Sequence, residues 1–441
     1  MTGGDAAASA GRPAGVWGAG AEGRSAARAL LREGREVLVV DERAQDRPGE
    51  LDPGAAFAAG EGALERLLGC SVVVCSPGVP RTHPFRRELA AAGVPATSLS
   101  ARWMARAGDR TIGVTGTKGK STTTTLAGLL LEAAGRSPQL GGNLGTPLAD
   151  LDEGAEATVA ELSSYQCASL ERAPRIAIIT SLYADHLPWH GSQERYWLDK
   201  ARVLGPGCEA AAIDADALAK LRAVGARLPE RVAVPDAASA ARLDRLPLAG
   251  PIALAQNRRN LELAVLGVEL WLGRALSDDE LLRAAAAFRP LPHRLETIAV
   301  RDGVTWVDDT LATVPEGVVA ALEAHPGEAI AIVGGEDRGL DHGALTAHLL
   351  ARRPLPTLVA MPTSGPRIAA GYRAAHPDRV VDVETLEEAV AVAARLARPG
   401  TAVLLSPGSP SYDRYRDYEA KSEAFARAVR ALDEAAPPAG A

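Results

Sequence analysis

The chain has 441 residues, 47% of them hydrophobic and 23% charged, the balance of a soluble globular protein with room for two to four domains. Its 48 basic and 55 acidic residues give a net charge of −7 without a basic stripe, which argues against a nucleic-acid partner. No apolar run reaches the roughly 18 residues of a membrane span and no basic-then-apolar leader opens the chain, so a cytoplasmic protein without a membrane partner is expected.

Residues 1–12 are mostly small and are expected to form a disordered tail. Ala14–Trp17 reads as a strand, followed by Gly18-Ala19-Gly20-Ala21-Glu22-Gly23, a helix over Arg24–Glu33 and a strand over Glu36–Val40 that ends at Asp41. This is G-x-G-x-x-G with an acid closing the next strand, 18 residues beyond Gly23. Glycines of that spacing admit a pyrophosphate to the backbone, and the acid takes a ribose hydroxyl. The residues leave three readings open: NAD, another diphosphate nucleotide such as a UDP-sugar, or a structural turn. No acid–base pair for hydride transfer stands nearby, which favours the UDP-sugar. A further strand is expected over Ser71–Cys75, and a domain boundary at 107–110.

Thr111–Val114 is a short strand, and Gly116-Thr117-Lys118-Gly119-Lys120-Ser121-Thr122 opens a helical run over Thr125–Gly135. Strand, glycine loop and helix make a phosphate cradle: backbone N–H groups and a helix N-terminus face the anion. Lys120 is placed to reach the β/γ-phosphates and Ser121 to hold Mg2+. The glycine expected at 114 is Val; glycines stand at 113 and 116 instead. Gly141-Gly142-Asn143-Leu144-Gly145 is a second glycine-rich turn. Thr158–Glu161 is a strand ending in a carboxylate, the place for a second Mg2+ ligand, although a surface Glu would look the same.

Ile176–Thr180 is a strand that leads into Asp185-His186-Leu187-Pro188-Trp189-His190, where solvated turn histidines are the plainer reading. Lys200 lies on the following helix, Gln193–Leu204. Residues 225–250 are rich in turn formers and resist assignment. Gln256-Asn257-Arg258-Arg259-Asn260 starts a helix whose asparagines either bind an adenine edge or cap it. A second boundary follows Arg289-Pro290-Leu291-Pro292-His293-Arg294, near 295. The strands Ala329–Val333, Leu358–Met361 and Ala402–Leu405 then alternate with helices, the mark of a parallel α/β sheet. Three polar loops follow strand ends: Asp308-Asp309-Thr310-Leu311-Ala312-Thr313, Gly334-Gly335-Glu336-Asp337-Arg338-Gly339 and Ser406-Pro407-Gly408-Ser409-Pro410-Ser411. Arg338 can clamp a carboxylate, and Ser411 and the Tyr418 region offer hydroxyls to a second one. An amino acid with two carboxylates suits such a pocket. Cys70, Cys75, Cys167 and Cys208 lack metal-ligand spacing and read as reduced core residues.

Together these motifs resemble the Mur ligase family, from Trp17 to Phe425. The resemblance rests on Gly116–Ser121, Glu161-Leu162-Ser163-Ser164, Asn257–Asn260, Leu291-Pro292-His293-Arg294 and Leu405-Ser406-Pro407. It implies an α/β protein of three domains: a Rossmann-like UDP-substrate domain over 13–107, a P-loop ATPase domain over 108–294 and a dinucleotide-fold glutamate domain over 295–441. Within the family the chain is similar to the ligases that add glutamate to UDP-N-acetylmuramoyl-L-alanine for peptidoglycan.

By position, the resemblance gives Ser121, Glu161 and His186 to Mg2+, and Lys120, Glu161, His186 and Lys200 to catalysis, with Lys200 carbamylated. Gly116, Thr117, Lys118, Gly119, Lys120, Ser121, Thr122, Asn257, Asn260, Arg294 and Asp309 would serve ATP. Asp41, Arg43, Ser76 and Asn143 would hold the UDP-sugar; Thr313, Arg338, Ser411 and Tyr418 would hold glutamate. Gln256, Leu311, Arg338 and Gly408-Ser409-Pro410-Ser411 depart from the pattern and concentrate in the amino-acid pocket. Lys118–Ser121, Asp185–Gly191 and Gly335–Asp341 look more like a subfamily that adds L-glutamate, with an epimerase acting afterwards, than like the ligases that add D-glutamate, which are the alternative. A monomer is implied. A folylpolyglutamate-type ligase would lack the N-terminal fingerprint domain, and a non-catalytic UDP-sugar sensor would not need Glu161, His186 and Lys200.

Overall fold

In the computed structural model, which describes residues 11–290 and 292–434, the apolar strand segments assemble into three sheets. The first contains β1 (Ala14–Trp17), β2 (Val37–Asp41), β3 (Ala56–Ala59), β4 (Val72–Cys75) and β5 (Ala96–Thr97), all parallel, in the order β3-β2-β1-β4-β5. The second contains β6 (Thr111–Thr115), β7 (Pro138–Gly142), β8 (Ala157–Glu161), β9 (Ile176–Ile179), β10 (Ala210–Ile213) and β11 (Arg231–Ala233). Its strands are parallel and ordered β11-β10-β9-β6-β8-β7.

The third sheet runs β12 (Glu296–Arg301), β13 (Val304–Asp308), β17 (Ala402–Leu405), β14 (Ala329–Val333), β15 (Thr357–Ala360) and β16 (Val380–Asp382). Its edge strand β12 is antiparallel to β13; the other pairs are parallel. The chain divides into two compact units. One extends to Ala253 and includes Asn257–Phe288, and it carries the first two sheets; the other has Leu254–Gln256 and the chain from Arg289, and it carries the third.

Strands covered by helices on both faces must be apolar throughout rather than alternating. β6 is buried at every position. Ile112 and Val114 pack with Leu126 and Leu130 of the helix Lys120–Ala133 on one face, while Ile179, Leu162 and Tyr196 fill the core on the other. The helix after the phosphate loop begins at Lys120, five residues earlier than the sequence suggests. Thr122–Thr125 read as poor helix formers because β-branched side chains lose χ1 freedom, but Thr122, Thr123 and Thr124 are buried and packing overrides the propensity.

The helix expected over 193–204 ends at Lys200, and a 3-10 turn covers Ala201–Leu204. Within the turn-rich stretch 225–250 lie β11 and a helix, Ala237–Asp244, started by a capping box between Asp236 and Ser239. Among the described residues no helix is long and apolar enough to cross a membrane. The expected tail lies, apart from Gly11 and Arg12, outside the described residues.

Parallel order decides where chemistry can gather. Ligands bind beyond the carboxyl ends of the strands, at points where the strand order reverses. In the first sheet that point lies between β1 and β4. In the second, β8, β6 and β9 are neighbours, so the loops after Thr115, Glu161 and Ile179 open side by side.

Candidate active site

β6 delivers the chain into Gly116 at φ 147 and Gly119 at φ 86, both left-handed. A methyl group at Gly116 would stand 2.0 Å from Thr180 Oγ1, and one at Gly119 would stand 2.4 Å from Asn260 Oδ1. The loop is pinned from the end of β9. Thr117 N donates to Ser181 O at 2.6 Å, Lys118 N to Ser181 Oγ at 2.9 Å, and Thr180 Oγ1 to Lys118 O at 2.5 Å. Lys120 Nζ donates to Thr117 O at 3.1 Å, and Ser121 and Thr122 lie buried in the first helical turn. The fold therefore brings Gly116–Thr122 and Asn260 together in a curled loop backed by a helix N-terminus, which suits a phosphate chain. Asn257 Nδ2 instead donates to Pro251 O at 2.8 Å, tying the preceding segment to its helix.

Glu161 closes β8 and is 1% exposed. Its Oε1 accepts from Asn143 Nδ2 at 2.8 Å, while its Oε2 is buried with no hydrogen-bond partner among the described residues. An orphaned carboxylate oxygen beside a phosphate loop fits a hard divalent cation such as Mg2+. Asn143 thus supports Glu161, and its backbone N–H also donates to Glu161 O. His186 sits in the left-handed region at φ 52, with Nδ1 2.8 Å from the Tyr165 hydroxyl and Nε2 3.6 Å from Asp185 Oδ2.

Lys200 is 2% exposed; its Nζ donates to Gly116 O at 2.7 Å and lies 4.9 Å from the centre of the Tyr196 ring. Burial, and secondarily the charge of Lys120, lower its pKa to about 7, so much of it is a neutral amine near pH 7.

Several polar groups were not singled out by the sequence. Ser164 Oγ is 3.0 Å from His190 Nε2, and Asp199 Oδ2 is 2.8 Å from His190 Nδ1, with all three residues buried. With Nδ1–H donating to Asp199, Nε2 is left to accept from the Ser164 hydroxyl. This clamp fastens the helix that carries Lys200 to the loop that follows Glu161. Gln166 Nε2 donates to Glu22 Oε1 at 2.5 Å, and burial raises the Glu22 pKa to about 7. Ser164 and His190 belong to visible motifs, but nothing in the sequence pairs His190 with Asp199, since only the turn at Gly191 folds one onto the other.

At the reversal point of the first sheet lies a cavity of about 310 Å³ lined by Trp17, Gly20, Glu22, Asp41, Arg43 and Ser76. Asp41 Oδ2 accepts from Ala19 N at 2.8 Å, and its Oδ1 accepts from the backbone N–H groups of Arg43 and Ala44. Asp41 therefore also shapes the glycine loop. Ser76 Oγ donates to Gly18 O at 3.1 Å.

In the second compact unit, adjacent strands β13, β17 and β14 end in the three polar loops. Asp309 Oδ2 accepts from Ser406 Oγ at 2.7 Å, and Gly334 N donates to Pro407 O at 2.9 Å. Arg294 follows His293, whose Nδ1 is 2.8 Å from Asp308 Oδ2. Thr313 lies between Asp309 and the helix Pro315–Ala324. Ser411 Oγ is buried with no hydrogen-bond partner among the described residues, whereas Arg338 is turned onto Glu336 at 3.0–3.1 Å. Tyr418 starts the helix Tyr418–Glu434, and its hydroxyl donates to Glu419. No hydrogen bond joins Arg338 to Ser411 or Tyr418 among the described residues. Lys421, which the motif reading passed over, is buried with Nζ donating to Gly334 O at 2.8 Å, and burial lowers its pKa to about 8.

Comparison with known proteins places this geometry. Residues 13–98 match the Mur ligase MurD-like N-terminal domain, 114–218 the Mur ligase middle domain and 293–408 the Mur ligase glutamate ligase domain. A Micromonospora protein named UDP-N-acetylmuramoyl-L-alanine–L-glutamate ligase is 42% identical, over 97% of this chain and 98% of that protein. One of the same name from Salinispora tropica is 40% identical over 95% and 98%, and a UDP-N-acetylmuramoylalanine–D-glutamate ligase from Frankia casuarinae is 35% identical over 96% and 95%. The crystal structure of the alanine ligase MurC from Thermotoga maritima shares the fold, with a TM-score of 0.59 at 17% identity over 96% of this chain and all of that one. Matched along nearly its whole length, the chain belongs to the Mur ligase family of ATP-dependent, amide-bond-forming ligases.

Proposed function

We propose that this protein joins L-glutamate to UDP-N-acetylmuramoyl-L-alanine with ATP in peptidoglycan precursor synthesis. The observation that carries the ligase reading is the meeting of a phosphate loop and the half-satisfied carboxylate of Glu161 at adjacent strand ends with the buried Lys200, which reaches Gly116 O from its helix. The names of the two relatives at 40–42% identity favour L-glutamate. Residues 13–107 would hold the UDP-sugar through Asp41, Arg43 and Ser76, 108–294 would bind ATP, and 295–441 would bind glutamate. The orphaned Ser411 hydroxyl supports a carboxylate site in the last of these.

The substrate carboxylate attacks the γ-phosphorus as the bond to the β-phosphate oxygen breaks, giving an acyl phosphate and ADP. The glutamate amine then attacks the acyl carbon, a C–N bond forms, phosphate leaves and the amine loses a proton. Lys120 and the loop N–H groups neutralise charge on the transferring group and hold it in place. Ser121, Glu161 and His186 would hold Mg2+, which supplies charge neutralisation at the phosphates. Lys200 would act as a carbamate: its neutral amine attacks CO2, forms an N–C bond and releases a proton, turning a cation into an anion beside the metal ligands. An epimerase acting on the product, a monomeric state and a cytoplasmic location complete the reading.

Phosphate release, with ATP, UDP-N-acetylmuramoyl-L-alanine and either glutamate enantiomer at equal concentration, tests it. L-Glutamate is expected to be preferred by about tenfold to a hundredfold, because the wrong enantiomer leaves buried carboxylate partners unpaired. A preference for D-glutamate would overturn the enantiomer, and release with neither would overturn the ligase.

A further inference from the structure

Behind the cavity that contains Asp41 is a second, smaller one of about 160 Å³. Ser76, Pro77 and Val79 line both cavities. The smaller one gathers three guanidinium groups within the first compact unit: Arg81, Arg86 and Arg202. Their hydrogen bonds go to neutral carbonyls. Arg81 Nη1 donates to Ala168 O at 2.5 Å, Arg86 to Pro80 O at 3.0 Å and Val79 O at 3.3 Å, and Arg202 to Leu170 O at 2.9 Å. Neither Arg86 nor Arg202 has a carboxylate within 4 Å among the described residues. Arg81 has only Asp199, at 3.8 Å, and that carboxylate is already shared with His190 and Arg195. Glu171 lies at the rim and is exposed.

The fold therefore collects like charges that carbonyl dipoles hold but do not neutralise. The pKa of Arg81 is accordingly lowered, first by burial and then by the charge of Arg202. Two further donors wait in the same cavity. Ser100 Oγ and Trp189 Nε1 are buried there, and neither has a hydrogen-bond partner among the described residues. Buried donors without acceptors are rare in native proteins and point to something that accepts from them.

We propose that this cavity is a second anion site, separate from the phosphate loop, that binds a phosphate dianion, either free phosphate or a small phosphomonoester. Three guanidinium groups face one carboxylate that is shared with Arg195, Asp199, and one exposed at the rim, Glu171, so the cavity keeps a positive charge that an anion balances. Its oxygens can accept from the arginines, the serine hydroxyl and the indole N–H together. At about 160 Å³ the cavity has room for a phosphate or a small phosphomonoester. Arg81 and Arg86 follow the loop after β4, whereas Trp189 and Arg202 belong to the second sheet's connections, so a bound anion would brace one against the other. The shared wall at Ser76-Pro77 would carry its effect to the larger cavity. The site does not depend on the reaction proposed above.

The test is titration of the full-length protein with inorganic phosphate, and separately with glycerol 3-phosphate, by calorimetry at constant ionic strength. Lys120→Ala removes the competing phosphate-loop ligand, and binding is expected to persist in it. Arg202→Gln is expected to weaken binding tenfold or more, and Trp189→Phe, which keeps the ring but loses the N–H, severalfold. Saturable binding of either anion with that pattern supports the site. Binding lost in Lys120→Ala but unchanged in Arg202→Gln and Trp189→Phe, or no saturable binding of either anion, would overturn it.

Discussion

Lys200 draws its chemistry from its surroundings rather than its type. An ordinary lysine is charged at pH 7, but this one is held near pKa 7 by burial and by Lys120. The unfolded chain binds its proton up to about pH 10.5 while the folded chain releases it near 7, so in the unmodified protein stability rises with pH across that window, and below it the full penalty applies. Carbamylation needs the neutral amine, so it is expected to fade as pH falls below about 7. Phosphate release measured from pH 6 to 8.5, with and without added bicarbonate, should show bicarbonate-dependent activity that falls on the acid side. Lys200→Ala should lose roughly a hundredfold and recover in part with a short carboxylate. Full activity in degassed buffer together with an active Lys200→Ala would contradict the carbamate. The sequence points to Lys200, Lys120 and Glu161 because each stands in a local motif. It says nothing of Asp199 behind His190, Tyr165 on His186 or Lys421 on Gly334, because those pairings depend on side-chain direction and tertiary approach.

The elements that matter most are the turns at strand ends. Strands and phosphate loop are legible because apolar runs and glycines report local backbone needs directly. The first turn of the helix after the loop is less so, since its threonines argue locally against a helix that packing nevertheless builds. Gly142 marks one such turn. It lies at φ 91, and a methyl group there would stand 2.2 Å from Glu161 O, a backbone atom that cannot swing away. Gly142→Ala is therefore expected to destabilise the protein by about 2–4 kcal/mol, from left-handed strain and overpacking together. It should also lower activity, because the clash falls on the backbone of Glu161 itself. Urea unfolding with an unchanged midpoint and a normal rate of phosphate release would refute both expectations.

Across the whole molecule the sequence reveals three successive α/β segments through their motifs and composition. The order of strands within each sheet is not legible, because the central strands such as β1, β6, β9 and β14 are apolar on both faces and none announces its neighbours. Apart from Leu254–Gln256, the chain passes from one compact unit to the other between Phe288 and Arg289, which bears on how specificities arise in such enzymes. Phosphate loop, Glu161 and Lys200 stand on one side of it; Thr313, Arg338, Ser411 and Tyr418 stand on the other. If these residues have the roles proposed for them, the choice of amino acid is inherited by recombination at one crossover, which keeps the phosphate loop, Glu161 and Lys200 and exchanges Arg294 and Asp309 along with the amino-acid loops. A hybrid gene that fuses residues 1–288 of this chain to the matching C-terminal portion of a D-glutamate ligase should encode an enzyme that still forms ADP from ATP in the presence of UDP-N-acetylmuramoyl-L-alanine yet takes the donor's enantiomer.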